Sequence, residues 1–310
     1  MAVAYTVILL LFLVGTSGLL ARILPWLPLP LVQVGLGALA ASPLIALRVS
    51  LDPELFMLVF VPPLLFADGW RVPKREFFAL RGPILTLALG LVVITVLGIG
   101  YFVHWAIPAV PLSAAFALGA VLSPTDAVAV SAISGRLQVP PRLMHILEGE
   151  ALLNDASGLV CFKFAIAATL TGTFSLVEAV RSFIVIAAGG LAVGFIVAWV
   201  LSWAHQHLAS RRTPRPGPHT LLLLLLTPFA VYLLAEHFGG SGILAAVAAG
   251  MTINFTDFQR RGDLFMRMQA RTVSSMIEFT FNGLIFLLLG LQVPPLFGQP
   301  LRSVARATGY

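Results

Sequence analysis

Charge is scarce in this chain. Charged residues make up only 10% of its 310 positions, against 59% that are hydrophobic. Soluble domains carry about a quarter charged residues. The shortage therefore excludes an ordinary water-soluble domain and reads as an integral membrane protein. Cysteine is nearly missing as well: Cys161 is the only one, which rules out an intrachain disulfide and a cysteine-based metal site. Hydrolase signatures are missing too. There is no HExxH and no GxSxG with a suitable base, and the histidines fall mostly at the ends of apolar runs, so an intramembrane hydrolase is set aside. The opening YTVILLLFLVG has no basic segment before it and no small-residue cleavage site after it. It reads as a retained span rather than a signal peptide. The net charge of +6 reflects basic residues held in loops, and no nucleic-acid partner is expected.

What is present is a series of apolar windows. About 20 apolar residues cross the hydrocarbon core of a bilayer, and windows of that kind fall at roughly 3–24, 29–47, 53–69, 83–104, 111–134, 143–171, 177–204, 219–238, 240–255 and 273–293. The reading is an all-α polytopic bundle of about ten spans. Loops after the odd-numbered spans hold Arg22; Arg71, Lys74, Arg75 and Arg81; Arg136 and Arg142; Arg211, Arg212 and Arg215; and Arg260, Arg261, Arg267 and Arg271. Loops after the even-numbered spans that lie between two spans hold only Arg48 and Arg181. Basic loops stay in the cytoplasm, so the odd loops are inside and the N-terminus is outside. The final GQPLRSVARATGY is polar, and the chain is expected to be a C-terminally truncated piece.

Ionisable groups inside spans are costly in lipid and mark function by default. The fifth span holds Asp126, and the sixth holds Glu148, Glu150, Asp155 and Lys163. Glu278 lies near the start of the tenth span, close to the interface. Glu150 and Asn154 are four apart and Glu148 and Asp155 seven apart, so the two pairs line neighbouring faces of one helix. Glu148 is nearer the cytoplasmic end and reads as a solvated rim charge. Asp155 lies deeper, between apolar turns, as either an ion-binding group or half of a buried salt bridge to Lys163 or another helix. Lys163 itself reads as a structural counter-ion or a snorkelling residue.

The stretch VLSPTDAVAV, residues 121–130, puts a helix breaker at membrane depth. Pro124 cannot donate a backbone hydrogen bond, so the helix should break there. Broken backbone at that depth is tolerated where it lines a protein cavity or binds an ion. A plain proline kink accounts for Pro124 but not for Ser123, Thr125 and Asp126 beside it. A run of oxygen ligands next to exposed carbonyls suits a small hard cation such as Na⁺.

Taken together these residues resemble the monovalent cation:proton antiporter family, in its Na⁺/H⁺ exchanger (NhaP-like) branch. The motifs are FVPPLLFADGW (60–70), SPTDAVAV (123–130), EGEALLNDASG (148–158), GGSGILAAVAAGMTIN (239–254) and FNGLIFLLLGLQ (281–292), in the family's order. The resemblance implies an inverted-repeat fold with broken helices crossing near the bilayer centre. By that layout residues 1–75 are interface-domain spans and 76–173 are core spans with the ion site. Residues 174–210 are a linking span, 211–295 further interface spans, and 296–310 a polar tail. The last three family spans, with the arginine that supports the site, would lie beyond Tyr310.

The resemblance also assigns roles. Asp155 would bind Na⁺ and H⁺ in turn, with Thr125, through its carbonyl, and Asp126 at or beside the site. Asn154 stands where electrogenic relatives have a second aspartate, which implies one cation per proton and electroneutral exchange. Glu150 would be the buried acid that pairs with the family's arginine, with Ser123, Pro124 and Lys163 in support. A homodimer in a bacterial plasma membrane is implied, with no cofactor beyond the transported ions. The chain departs from the pattern at Ala151, where serine is common, and at Asp68, an acid one place later than usual. A cation channel and a K⁺-selective antiporter are the competing readings.

Overall fold

A computed structural model of the chain describes residues 2–42, 47, 49, 52–125, 130, 139–171, 176–208, 218–256 and 264–308. The described residues are mostly helical and contain no strand. Lipid leaves backbone groups no outside partner, and a helix satisfies them within itself. Helices α1 (Ala2–Ile23), α2 (Leu29–Ala40), α3 (Pro53–Arg71), α4 (Lys74–Ala79) and α5 (Arg81–Leu85) come first. A π-helical segment, Thr86–Leu91, then runs into α6 (Val92–Ala106), followed by α7 (Leu112–Leu122). The rest are α8 (Pro141–Thr171), α9 (Leu176–Leu208), α10 (Pro218–His237), α11 (Gly242–Phe255) and α12 (Leu264–Thr308).

Six stretches among the described residues are long and apolar enough to cross a membrane: Tyr5–Ile23, Pro53–Arg71, Arg81–Ala106, Pro141–Thr171, Arg181–Ala204 and Thr272–Pro294. Four shorter apolar helices, Leu29–Ala40, Leu112–Leu122, Leu222–His237 and Gly242–Phe255, fall inside the four remaining predicted windows. Prolines do not all act alike. Pro62 and Pro63 lie inside α3 and Pro228 inside α10 without ending either helix, whereas α7 stops just before Ser123–Pro124.

The chain forms two compact units. One comprises residues 1–60, 128–137 and 271–310. Its described core sets Leu10, Ala40, Leu288 and Leu291 together, with Phe56, Phe60 and Leu284 packed against them. Here α2 and α12 cross at backbone contact: a Cβ added to Gly37 would lie 2.1 Å from the Leu287 carbonyl oxygen, and one on Gly290 2.1 Å from that of Val34. Buried Gln33 of α2 donates to Ser17 Oγ of α1 at 3.2 Å.

The other unit comprises residues 61–127 and 138–270. In it α9, α10 and α11 pack on one another, and α8 packs against α5, the π segment, α6 and α7. Gly194 of α9 meets Ala245 of α11 so closely that a Cβ would stand 2.1 Å from its carbonyl oxygen. Gly239, at φ 74°, closes α10, with Gly240 N donating to the Ala235 carbonyl at 2.8 Å. That is the left-handed helix ending for which glycine is favoured.

Candidate ion-binding site

The site begins with an unmade hydrogen bond. In a continuing helix, residue 124 would donate its N–H to the carbonyl of Ala120, but proline has none to give. Ser123 fills the gap: its Oγ donates to Ala120 O at 2.9 Å, and the side chain is buried. The helix ends at Leu122, and Ser123, Pro124 and Thr125 continue outside it. The predicted break is therefore seen at its first half. Asp126 and most of the following residues lie outside the described residues.

The α8 helix lies against this break and runs without interruption through its polar centre. Glu150 and Asn154, one turn apart, are 2% and 0% exposed. Thr125 Oγ1 donates to Glu150 Oε2 at 2.8 Å. Asn154 Nδ2 donates to Thr125 Oγ1 at 2.9 Å and to Glu150 Oε1 at 2.7 Å. Each carboxylate oxygen thus receives one hydrogen bond, and both amide protons of Asn154 are in use. This fixes the amide's orientation, and its Oδ1 is buried with no hydrogen-bond partner among the described residues. An unsatisfied buried acceptor costs about 1–3 kcal/mol, and a buried oxygen of this kind is a ready ligand for a hard cation.

Among the sequence-predicted residues, the structure joins Thr125, Glu150 and Asn154 directly, with Ser123 and Pro124 shaping the approach. Asp155 follows Asn154 on α8 and is half-buried. Glu148 is exposed, as a rim charge would be. Lys163 is also exposed. Along a continuous helix it is separated from Asp155 by a rise of about 12 Å, which places it away from the cluster. Glu150, expected as the partner of an arginine, takes Thr125 and Asn154 as donors here. The reading gave no role to Gly158, which also faces the break. A Cβ there would lie 2.8 Å from Pro124 Cγ. The signal was the spacing: 150, 154 and 158 recur every four residues.

Comparison with known proteins follows from the same residues. The family model described as sodium/hydrogen exchanger, transmembrane, matches residues 8–305. The Escherichia coli protein named uncharacterized Na⁺/H⁺ exchanger YjcE is 50% identical over 98% of this chain and 55% of its own length. A Bacillus pumilus protein named sodium, potassium, lithium and rubidium/H⁺ antiporter is 50% identical over 95% of this chain and 44% of its own. The chain thus spans about half the length of the curated relatives it matches. The solved structure of the sodium proton antiporter MjNhaP1 from Methanocaldococcus jannaschii shares the fold, with a TM-score of 0.71 at 18% identity over 94% of this chain and 73% of that one.

Proposed function

Because the chain belongs to the sodium/hydrogen exchanger family of transmembrane transporters, we propose that it takes part in exchanging a monovalent cation for H⁺ at the cluster beside Pro124. The observation that carries this reading is the Thr125–Glu150–Asn154 network, in which Glu150 and Asn154 are buried, closed on itself at a helix break with one amide oxygen left over. Such an arrangement is costly in an apolar setting and is retained where it holds an ion.

Asp155 is the group that exchanges the two ions. A carboxylate that has taken a proton has no charge left to hold Na⁺, so H⁺ and Na⁺ compete for Asp155. Transport follows if only the occupied site changes the face to which it opens. Thr125 has its hydroxyl engaged by Glu150 and Asn154, so it offers the cation its backbone carbonyl. Asp126 stands beside it. Asn154 carries no charge, so the Asn154–Asp155 pair holds one titrating acid and exchanges one cation for one proton, an electroneutral cycle. The layout of interface spans 1–75 and 211–295, core spans 76–173 and linking span 174–210, in a homodimer of the bacterial inner membrane with the N-terminus outside, belongs to the same reading.

The test is dequenching of a pH dye in everted vesicles carrying the complete gene product. Na⁺ is expected to release protons, saturably, with an apparent KM that rises as the medium is acidified, since proton and cation exclude each other. Exchange that persists in Asp155→Asn would defeat the assignment, and cation flux without proton movement would indicate a channel. The name of the Bacillus pumilus relative favours a second reading, in which K⁺, Li⁺ and Rb⁺ are also carried. The same assay run with each salt separates the two.

A further inference from the structure

Glu150, Asn154 and Gly158 occupy one face of α8 at successive turns. The first two hold Thr125 by hydrogen bonds. The third meets the residues just before it: a Cβ on Gly158 would lie 2.8 Å from Pro124 Cγ, 3.1 Å from Ser123 Oγ and 3.2 Å from Ala120 O. None of these atoms yields easily. The proline ring is rigid, Ala120 O is backbone, and Ser123 Oγ is tied to that same oxygen at 2.9 Å.

Gly158 has no conformational need to be glycine, since among the described glycines only Gly239 takes a positive φ. Glycine is also the poorest helix former after proline, so it weakens α8 where it stands. Space is what remains to account for it. Gly90 and Gly98, by contrast, have nothing within 4 Å of where a Cβ would be.

We infer that Gly158 is a positioning residue for the ion site. Its bare backbone is the seat for the Pro124 ring, and the depth of that seat sets where Thr125 meets Glu150 and Asn154. The inference rests on the exchange reading above. A methyl group at 158 lifts the Ser123–Thr125 segment off α8, lengthens the bonds of Thr125 to Glu150 and Asn154, now at 2.8 and 2.9 Å, and moves the Thr125 carbonyl relative to Asp155.

The experiment compares wild type, Gly158→Ala, Pro124→Ala and the double variant as complete gene products. Dye dequenching gives the apparent KM for Na⁺ and the maximal rate, and size-exclusion in detergent gives the folded fraction. Gly158→Ala is expected to raise KM by about tenfold at equal folded protein, because small displacements at a binding site are costly. Removing the proline ring should cancel most of that effect, so that the two substitutions are strongly non-additive. A purely structural role would lower the amount of folded protein and leave KM alone. The inference is overturned if KM stays within about twofold of wild type, or if the effects simply add. It is also overturned if Gly158→Ala fails to accumulate and Pro124→Ala does not restore it. Absence of exchange in the wild type defeats the exchange reading instead, and the coupling of the two substitutions in thermal stability then decides the seat.

Discussion

Thr125 is worth weighing as one side chain, because its hydroxyl serves two buried partners at once. It donates to Glu150 Oε2 and accepts from Asn154 Nδ2. Thr125→Val keeps the shape and removes both bonds, leaving a buried carboxylate oxygen short of its donor. A lost partner of that kind costs about 1–3 kcal/mol. Part of Thr125 is exposed, which favours the lower half of that range. Thr125→Ser keeps the hydroxyl and should retain most of the stability. Thermal unfolding of purified protein in detergent checks this, and a valine variant as stable as wild type would show that the network contributes nothing. The sequence suggested residue types here but not their partners. That Thr125, Asn154 and Glu150 belong to one site could be read from their motifs. That Asn154 spends both amide protons inward could not, because it depends on how two segments 29 residues apart meet.

Elements are held together in this chain by places where side chains are missing. Gly194 of α9 faces the Ala245 carbonyl of α11, with a would-be Cβ at 2.1 Å from the oxygen. A backbone atom cannot rotate away, so Gly194→Ala forces the helices apart along a shared contact that includes Gly190 against Ser241. Overpacking typically costs about 1–3 kcal/mol, and more against backbone. Gly98→Ala in α6 meets nothing within 4 Å and replaces a poor helix former with the best. The expected outcome is a sharp loss of monodisperse protein on size-exclusion for the first and none for the second. Equal profiles would show that the close crossing is not required. Element boundaries were legible to differing degrees for related reasons. Each of the ten apolar windows contains an apolar helix among the described residues, six of them long enough to cross a membrane, since lipid leaves the backbone little alternative. Prolines were ambiguous as stop signals. Pro124 follows the end of a helix, while Pro62, Pro63 and Pro228 are accommodated inside helices. The π segment Thr86–Leu91 has neither proline nor charge to announce it.

At the scale of the molecule, orientation rests on where the basic residues fall and on what a helix must span. The helical run Arg81–Ala106 holds 26 residues, and at 1.5 Å per residue it reaches about 39 Å, more than the roughly 30 Å of a hydrocarbon core. A run of that length that crosses the membrane has its two ends on opposite sides. Arg71, Lys74, Arg75 and Arg81 gather at one end, and a basic cluster next to a span is retained in the cytoplasm. In the proposed orientation the turn between α6 and α7, where Ala109 is exposed, lies outside. Cysteine labelling tests this, and Cys161 is the one cysteine among these 310 residues. In a cysteine-free background of the complete gene product that includes Cys161→Ala, Ala109→Cys should react with a membrane-impermeant maleimide in intact spheroplasts. Arg75→Cys should react only once the membrane is opened. The opposite pattern would reverse the orientation and move the N-terminus inside. Labelling of both from one side would mean that Arg81–Ala106 does not cross, and the alternation of basic loops on which the ten-span count depends would fail with it.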